Sequence, residues 1–167
     1  LPDALLLEVK GSRRLFGGLA ALVEQVLAGV REQGVTPWIA LAPTPRAALW
    51  FARSGERVSI TAVSDLPGLL ARVPVAVLRW PEHVVALLAS MGVHAVGDCL
   101  RLPRDGLARR VGPERLLELD RATGRFPDVR RDFRPGLRFS GRRDFEDEIE
   151  QGDWLLERLH SLLDDLT

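Results

Sequence analysis

The sequence has one cysteine, no long apolar run and no initiating methionine, and each absence excludes something. Cys99 alone cannot form an internal disulfide, and it excludes zinc sites of the cysteine-rich finger kind. No apolar run approaches the ~20 residues that a membrane-spanning helix needs, and no basic and apolar signal-peptide regions open the chain. These absences predict a cytoplasmic protein with no membrane partner. Because Leu1 stands where a methionine would start translation, the sequence also suggests a piece of a longer protein.

Common catalytic arrangements are missing as well. The three histidines, His83, His94 and His160, are scattered and have no partner at a catalytic spacing. We predict that His94 lies in a loop and that His160 lies on the surface of a helix. The stretch GSRRLFGG, residues 11–18, lacks the Lys-Ser/Thr of a phosphate-binding loop and the acidic residue of a dinucleotide fold.

Lysine is almost absent, since Lys10 is the only one, and arginine carries nearly all of the positive charge. The net charge is zero but unevenly distributed: +1 over residues 1–100, +7 over residues 101–143 and −8 over residues 144–167. The +7 segment indicates a polyanionic partner such as nucleic acid. The alternative is a solvated arginine-rich surface in a protein whose genome prefers arginine to lysine.

The first 63 residues alternate between strand-like and helix-like patterns. Three segments have the apolar or β-branched character of strands: residues 5–9, 37–42 and 57–63. Apolar residues at helical spacing predict a helix over about 19–30, and Thr44-Pro45 predicts the N-cap and first residue of a helix that ends near Arg53. This order predicts an α+β fold that opens with a β-α-β-α-β layer.

Beyond about residue 66, prolines and glycines separate several short helices. The predicted helices lie roughly at 81–91, 96–102, 104–110 and 113–123. The stretch MGVHAVGDCL has a glycine-containing turn between two of them, as helix-hairpin-helix modules have where backbone N–H groups meet a phosphate. The alternative is a helical corner that binds nothing.

The last part of the chain predicts a linker and the start of another unit. Residues 125–136 contain two prolines and several charges, which favours an extended linker. LRFSGRRDFEDEI then predicts a strand, and the apolar spacing from Trp154 to Leu166 predicts an amphipathic helix. The predicted divisions are therefore 1–72, 73–124, 125–136 and 137–167.

The aromatic residues fall into two groups. Trp38, Trp50, Trp80 and Trp154 lie in or beside apolar segments, which predicts core positions. Phe126, Phe133 and Phe139 alternate with arginines and could either stack on bases or anchor the linker.

Asp3 and Glu8 stand at the two ends of the first apolar run, where carboxylates can bind a metal ion. Two-metal phosphoryl transfer needs several carboxylates around ions about 3.5–4 Å apart. In a regular strand, residues five apart point to opposite faces and lie ~17 Å apart, so these two could not share a site. A useful partner would stand beside Asp3, and that residue is Ala4.

LPDALLLEV resembles the second catalytic segment of the Y-family translesion DNA polymerases, which reads Ser-x-Asp-Glu before an apolar strand and a further acid. On that register Asp3 takes the position of the catalytic Asp, and Ala4 takes that of the Glu. WIALAP resembles the family's Gly-Ile-Ala-Pro strand, although Thr44-Pro45 replaces the following Asn-Lys. MGVHAVGDCLRLP with LARRVG resembles the thumb, and FSGRRDFEDEI with the Trp154 helix resembles the start of the little finger.

The chain further resembles the ImuB-like subgroup, through Val9-Lys10-Gly11, Leu15 to Gly18 and Leu102 to Arg110. This resemblance implies a polymerase-shaped protein that lacks catalytic acids and acts in SOS-induced mutagenesis. It also implies that the protein tethers an error-prone DnaE-like polymerase and a RecA-related accessory protein to the sliding clamp. We expect the first palm strand before Leu1 and the clamp-binding peptide beyond Thr167.

The resemblance and the +7 segment together predict a non-catalytic scaffold that binds DNA phosphates without reading sequence. The predicted contact residues are Arg101, Arg104, Arg109, Arg110, Arg115 and Gly97. No catalytic residue, metal or cofactor is expected, and Asp3 alone is the alternative site for one divalent ion. Two other functions stay open: an active polymerase that uses Mg²⁺ with acids from upstream, and a protein-interaction domain whose acidic segment 144–167 binds a basic partner.

Overall fold

The computed structural model describes residues 3–130, together with residues 133, 156, 159 and 160. The chain divides into two compact units, one that ends at Val129 and one that starts at Arg130. In the second unit, Leu156, Leu159 and His160 have helical backbone and exposed side chains, which confirms the surface position of His160. The predicted strand with Phe139, and Trp154, lie outside the described residues.

The first unit is built mainly of helices. They are α1 (Leu19–Glu32), α2 (Pro45–Arg53), α3 (Leu66–Leu70), α4 (Glu82–Ser90), α5 (Val96–Arg101), α6 (Arg104–Val111) and α7 (Pro113–Thr123). Short 3₁₀ turns occupy Val63–Asp65 and Val75–Leu78. The helices predicted before residue 124 are therefore confirmed, whereas α3 and both 3₁₀ turns carry no clear signal in the sequence. Of the helices described, none is both long and apolar enough to cross a membrane.

The predicted three-stranded layer is reduced to one short parallel contact. Leu41 donates its N–H to the carbonyl of Val58 at 2.8 Å, and Ile60 donates to the carbonyl of Leu41 at 2.9 Å. The prediction that residues 5–9 form a buried strand is wrong, because this run has no strand backbone and Leu5 is 89% exposed. An apolar run favours burial without specifying a partner strand, and the one backbone–backbone hydrogen bond between residues 5–9 and other described residues is the turn contact from the N–H of Ser12 to the carbonyl of Val9.

Tryptophan burial follows the prediction at two positions and departs from it at a third. Trp50 and Trp80 are buried in the core. Trp38 is 60% exposed, so its predicted core position is wrong, and the guanidinium carbon of Arg57 lies 5.9 Å from its ring centroid. Trp38 precedes the parallel contact, where no neighbouring strand in the described part of the chain covers it. The exposed phenylalanines of the predicted linker are Phe126 and Phe133.

Thr44 and Pro45 begin α2 as the sequence predicts. Pro45 is the first helical residue, where its missing N–H costs nothing. The Thr44 hydroxyl accepts the N–H of Ala47 at 3.2 Å and donates to the carbonyl of Ala122 at 2.9 Å. One side chain therefore caps α2 and ties it to the end of α7.

In the described part of the first unit, one apolar core runs through α2 to α7. Its largest fully buried side chains are Trp50, Phe51, Leu66, Leu70, Leu88 and Leu119. Helix α7 packs against both α2 and α6, whereas α1 contributes Leu22 to the buried residues. The boundaries at 72/73 and 124/125 stay predictions. The shared core fixes α5, α6 and α7 relative to α2. These three helices carry the predicted DNA contacts.

Candidate nucleic-acid interface

The turn between α4 and α5 is the place where the sequence predicts free backbone N–H groups, but these groups already have acceptors. His94 and Ala95 both donate to Oδ2 of Asp98 at 2.9 Å. Val96 donates to the carbonyl of Val73 at 2.9 Å, and Gly97 donates to a neighbouring carbonyl at 3.2 Å. An internal carboxylate and two internal carbonyls thus occupy the donors that the sequence assigns to phosphate.

Gly97 is required by close packing. It is buried at the start of α5, and its N–H donates to the carbonyl of Ala71. A Cβ atom at position 97 would lie 2.8 Å from Cβ of Ala71 and 2.9 Å from its carbonyl oxygen. This geometry gives Gly97 a packing role, and its contact with DNA stays a prediction with no unpaired N–H behind it.

Asp98 is a charged cap for this turn. The N–H groups of His94 and Ala95, together with the positive charge of Arg101, outweigh partial burial and hold the pKa of Asp98 below its ordinary value. A carboxylate that accepts two backbone N–H groups is stabilised in its charged form. The turn therefore depends on an ionised Asp98.

We expect Asp98→Asn to make the free energy of unfolding less sensitive to acid. Because the folded-state pKa is depressed, the stability that Asp98 contributes is complete above about pH 5 and is lost as the pH falls through that lowered pKa. Urea unfolding of both proteins from neutral pH to about pH 3 measures the difference, which should shrink on acidification. Asp105→Asn, at an exposed position in the first turn of α6, is the control. If the difference in unfolding free energy between wild type and Asp98→Asn stayed constant with pH, the turn would not depend on an ionised Asp98.

Three of the predicted DNA contacts, Arg101, Arg104 and Arg115, are engaged in ion pairs. Arg104, the first residue of α6, donates to both carboxylate oxygens of Asp120, at 2.8 and 2.6 Å. This contact raises the pKa of Arg104 still further. Arg101, in the last turn of α5, pairs with Asp98. Both arginines would have to share or exchange their carboxylates in order to contact a phosphate.

Arg115 belongs to a network that sequence reasoning misses. Glu118 accepts Nε1–H of Trp80 at 2.9 Å and Nη1–H of Arg115 at 2.9 Å. The same carboxylate lies 3.2 Å from Nη1 of Arg46 on α2. Only the i,i+3 spacing of Arg115 and Glu118 was visible as a signal, because the other two residues are distant in sequence. The network joins α2, the segment before α4, and α7.

Arg109 and Arg110 are exposed, and no ion pair engages either of them within the described part of the chain. At 3.6 residues per turn, Arg109 lies on the side of α6 opposite the buried Leu107 and Val111. Arg110 donates to the carbonyl of Gly106, one turn earlier, at 3.0 Å. These two guanidinium groups are the predicted contacts best placed to meet a phosphate.

The Asp3 carboxylate lies between two guanidinium groups. Nη2 of Arg53 is 3.3 Å from Oδ1, and Nη2 of Arg79 is 2.6 Å from Oδ2. Ala4 beside it supplies a methyl group, while the Glu8 carboxylate accepts a backbone N–H two residues later at 2.8 Å. Across the residues that the structure describes, no three His, Cys, Asp or Glu side chains are grouped to hold a metal ion. The sequence identifies Asp3 but carries no signal for either of its arginine partners.

Cys99 and His94 lie in contrasting environments, one buried and the other exposed. Burial raises the pKa of the Cys99 thiol to about 11, and the nearby charge of Asp98 adds to this, so the thiol stays protonated at neutral pH. His94 is exposed in the turn before α5, as the sequence predicts. Its ring makes no hydrogen bond to any described residue.

Comparison with known proteins gives two kinds of relatives. The chain is 37% identical over 122 residues to Protein ImuB from two strains of Caulobacter vibrioides, a match that covers 73% of this chain and 27% of that protein. It is 28% identical over 114 residues to DNA polymerase IV of Moorella thermoacetica, which covers 66% of this chain and 28% of that protein. The chain thus spans about a quarter of the length of these relatives.

No family model and no solved structure matches the chain. The matches cover 73% and 66% of this chain. Both kinds of relatives agree with the resemblance carried by those motifs. The chain is therefore an ImuB-like homologue of the Y-family DNA polymerases.

Proposed function

We propose that this chain is part of a non-catalytic scaffold that binds DNA during damage tolerance. The site at Asp3 carries the proposal, because its carboxylate is engaged by Arg53 and Arg79 and is followed by Ala4. Phosphoryl transfer by two metal ions needs several free carboxylates that converge on the ions. A carboxylate already neutralised by two cations, next to a methyl group, is poorly suited to that chemistry.

DNA as the partner is supported by the +7 segment and by the name of one relative, DNA polymerase IV. We propose that Arg109 and Arg110 make the primary phosphate contacts. Arg101 and Arg104 would add to them by exchanging a carboxylate for a phosphate, which replaces one charge-assisted hydrogen bond with another. Arg115 donates to Glu118 on its own helix, so we propose that it supports the network that Glu118 makes with Trp80 and Arg46. Contacts of this kind position a protein on DNA without reading its sequence.

Replacing Arg109 and Arg110 together with Ala should weaken binding to a duplex oligonucleotide about tenfold at moderate salt, since two phosphate contacts are lost. The slope of log affinity against log salt should become shallower by about 2. Fluorescence anisotropy with a labelled duplex at several salt concentrations measures both quantities. The matched control is Arg13→Ala with Arg14→Ala, another adjacent exposed pair outside the +7 segment. Equal losses from the two double variants would remove the proposed interface.

An active polymerase is the competing function. Primer extension by the full-length protein with Mg²⁺ tests it directly, and we expect no extension. Extension that disappears on Asp3→Ala would overturn the scaffold proposal. The same assay with Asp65→Ala, at an exposed acid distant in sequence, would show whether any loss is specific.

We further propose that the full-length protein tethers an error-prone DnaE-like polymerase and a RecA-related accessory protein to the sliding clamp in the cytoplasm. Because the chain spans about a quarter of its relatives, these contacts are proposed mainly for other parts of the protein. Mixing the chain with DNA and with each partner separately tests which of these contacts this part of the protein makes. We expect this chain to retain DNA binding and to lack clamp binding.

A further inference from the structure

Two arginines from separate parts of the first unit contact the same carboxylate, that of Asp3. Arg53 lies in the last turn of α2, and Arg79 follows the 3₁₀ turn Val75–Leu78. Their guanidinium groups contact opposite oxygens of the Asp3 carboxylate, at 3.3 and 2.6 Å. Two cations held this close repel one another unless an anion lies between them. The pair therefore forms a place where a negative group is needed.

Both arginines extend from backbone elements that pack against one another, so the space between their guanidinium groups, here called the cleft, has walls other than Asp3. Helix α2 packs against the 3₁₀ turn that precedes Arg79. Arg79 has φ +57°, and it is the one residue other than glycine with positive φ in the part of the chain that the structure describes. This left-handed conformation is unfavourable for a residue with a side chain, and such strain persists where the surroundings enforce it.

The backbone around Asp3, in contrast, makes few contacts. Residues 3–8 have no helix or strand backbone, and no backbone–backbone hydrogen bond joins them to another described residue. Partial burial raises the pKa of Asp3, but the hydrogen bond from Arg53 and the charges of Arg53 and Arg79 outweigh it and leave that pKa below its ordinary value. The carboxylate is therefore charged, and side-chain contacts hold it between the two arginines.

The arginines have donors that Asp3 does not use. A guanidinium group carries five N–H donors, and each arginine gives Asp3 one contact within salt-bridge distance. Nε of Arg53 is buried and has no hydrogen-bond partner among the described residues. The Arg79 side chain is 59% exposed, which leaves the cleft open to solvent. A phosphate group, with more oxygens than a carboxylate, could use these donors.

We propose that Arg53 and Arg79 form a phosphate-binding cleft that Asp3 covers when no phosphate is bound. The ligand is a phosphate group, supplied either by a DNA backbone or by a small phosphate-containing molecule. In the first case the cleft deepens the proposed DNA-binding function and rests on it; in the second it is independent of that function. Asp3 then acts as an internal competitor that sets the affinity of the cleft.

The test compares Asp3→Asn with Asp65→Asn, which removes the same charge from an exposed position that has no arginine partner among the described residues. Asp3→Asn should raise affinity for a labelled duplex about tenfold more than the control does, the effect of one charge-assisted hydrogen bond gained. Adding Arg79→Gln to Asp3→Asn should abolish that gain. In parallel, inorganic phosphate should raise the thermal midpoint of Asp3→Asn and leave that of the double variant unchanged.

Each outcome has a fixed meaning. A gain with duplex identifies the DNA backbone as the source of phosphate, and a gain with inorganic phosphate alone identifies a small molecule. No gain with either probe overturns the cleft, whereas equal losses from the Arg109/Arg110 and Arg13/Arg14 double variants would overturn the proposed interface separately. Should Asp3→Asn fail to fold, the Nε–H resonances of Arg53 and Arg79 in the wild-type chain give the answer. They should shift together on titration with inorganic phosphate, and unchanged resonances would overturn the cleft.

Discussion

Glu118→Ala should lower the free energy of unfolding by about 3 kcal/mol, because it removes the shared acceptor of a mostly buried network. The carboxylate accepts from Trp80 and Arg115 and pairs with Arg46, and only 16% of its side chain is exposed. Without it, the indole N–H of Trp80 loses its partner in the core. Urea unfolding measures the change. An unchanged m-value would show that unfolding of the variant exposes the same surface area.

Glu114→Ala, in the exposed first turn of the same helix, is the matched control and should cost less than about 1 kcal/mol. Glu118→Gln should fall between the two, since the amide still offers one acceptor to Trp80 but carries no charge. A loss from Glu118→Ala no larger than that from the control would mean that solvent already screens these contacts. In that case Glu118 would not hold α2 and α7 together.

Gly97→Ala should lower the free energy of unfolding by about 2 kcal/mol, although alanine is normally the better helix former. The added methyl group would meet Cβ and the carbonyl oxygen of Ala71 at 2.8 and 2.9 Å. Helix α5 would have to move away, which would stretch the hydrogen bonds from Val96 and Gly97 to Val73 and Ala71. Thermal or urea unfolding measures the loss.

Gly29→Ala provides the contrasting substitution. Gly29 is inside α1, and a Cβ atom there has no neighbour within 4 Å among the described residues. This change should raise the free energy of unfolding by about 0.5–1 kcal/mol. If both substitutions were stabilising, the close approach of α5 to Ala71 would be absent in solution. If Gly97→Ala instead lowered DNA affinity at unchanged stability, the phosphate-binding role of Gly97 would be restored.

The helices could be read from the sequence because their ends are set by local chemistry. Thr44 and Pro45 fix the start of α2 through a side-chain cap and a pre-set φ angle, both of which involve residues within one turn. Proline and glycine punctuate α4 to α7 in the same way. The strand predictions failed at Leu5–Val9 because a strand needs a distant partner, and an apolar run carries no information about which one.

Only part of the candidate site could be predicted from the sequence, for the same reason. The sequence identifies Asp3, Ala4 and the arginines of the +7 segment, because register and charge are properties of the chain itself. It does not identify Arg53, Arg79 or Glu118, whose roles arise where separate elements meet. The backbone N–H groups before α5 show the converse error, since a turn typical of phosphate binding is already occupied by Asp98.

The hydrogen bond from Thr44 to Ala122 spans 78 positions of sequence, and this separation has a consequence for synthesis. During translation α2 leaves the ribosome well before α7, the helix that covers it. Trp50 and Phe51 are fully buried in the finished fold. They therefore lack their contacts with α7 until about 70 further residues are added, which takes roughly 4–14 s at ordinary elongation rates. For that interval the apolar face of α2 lacks α7, one of the elements that pack against it, and we expect a chaperone to bind there.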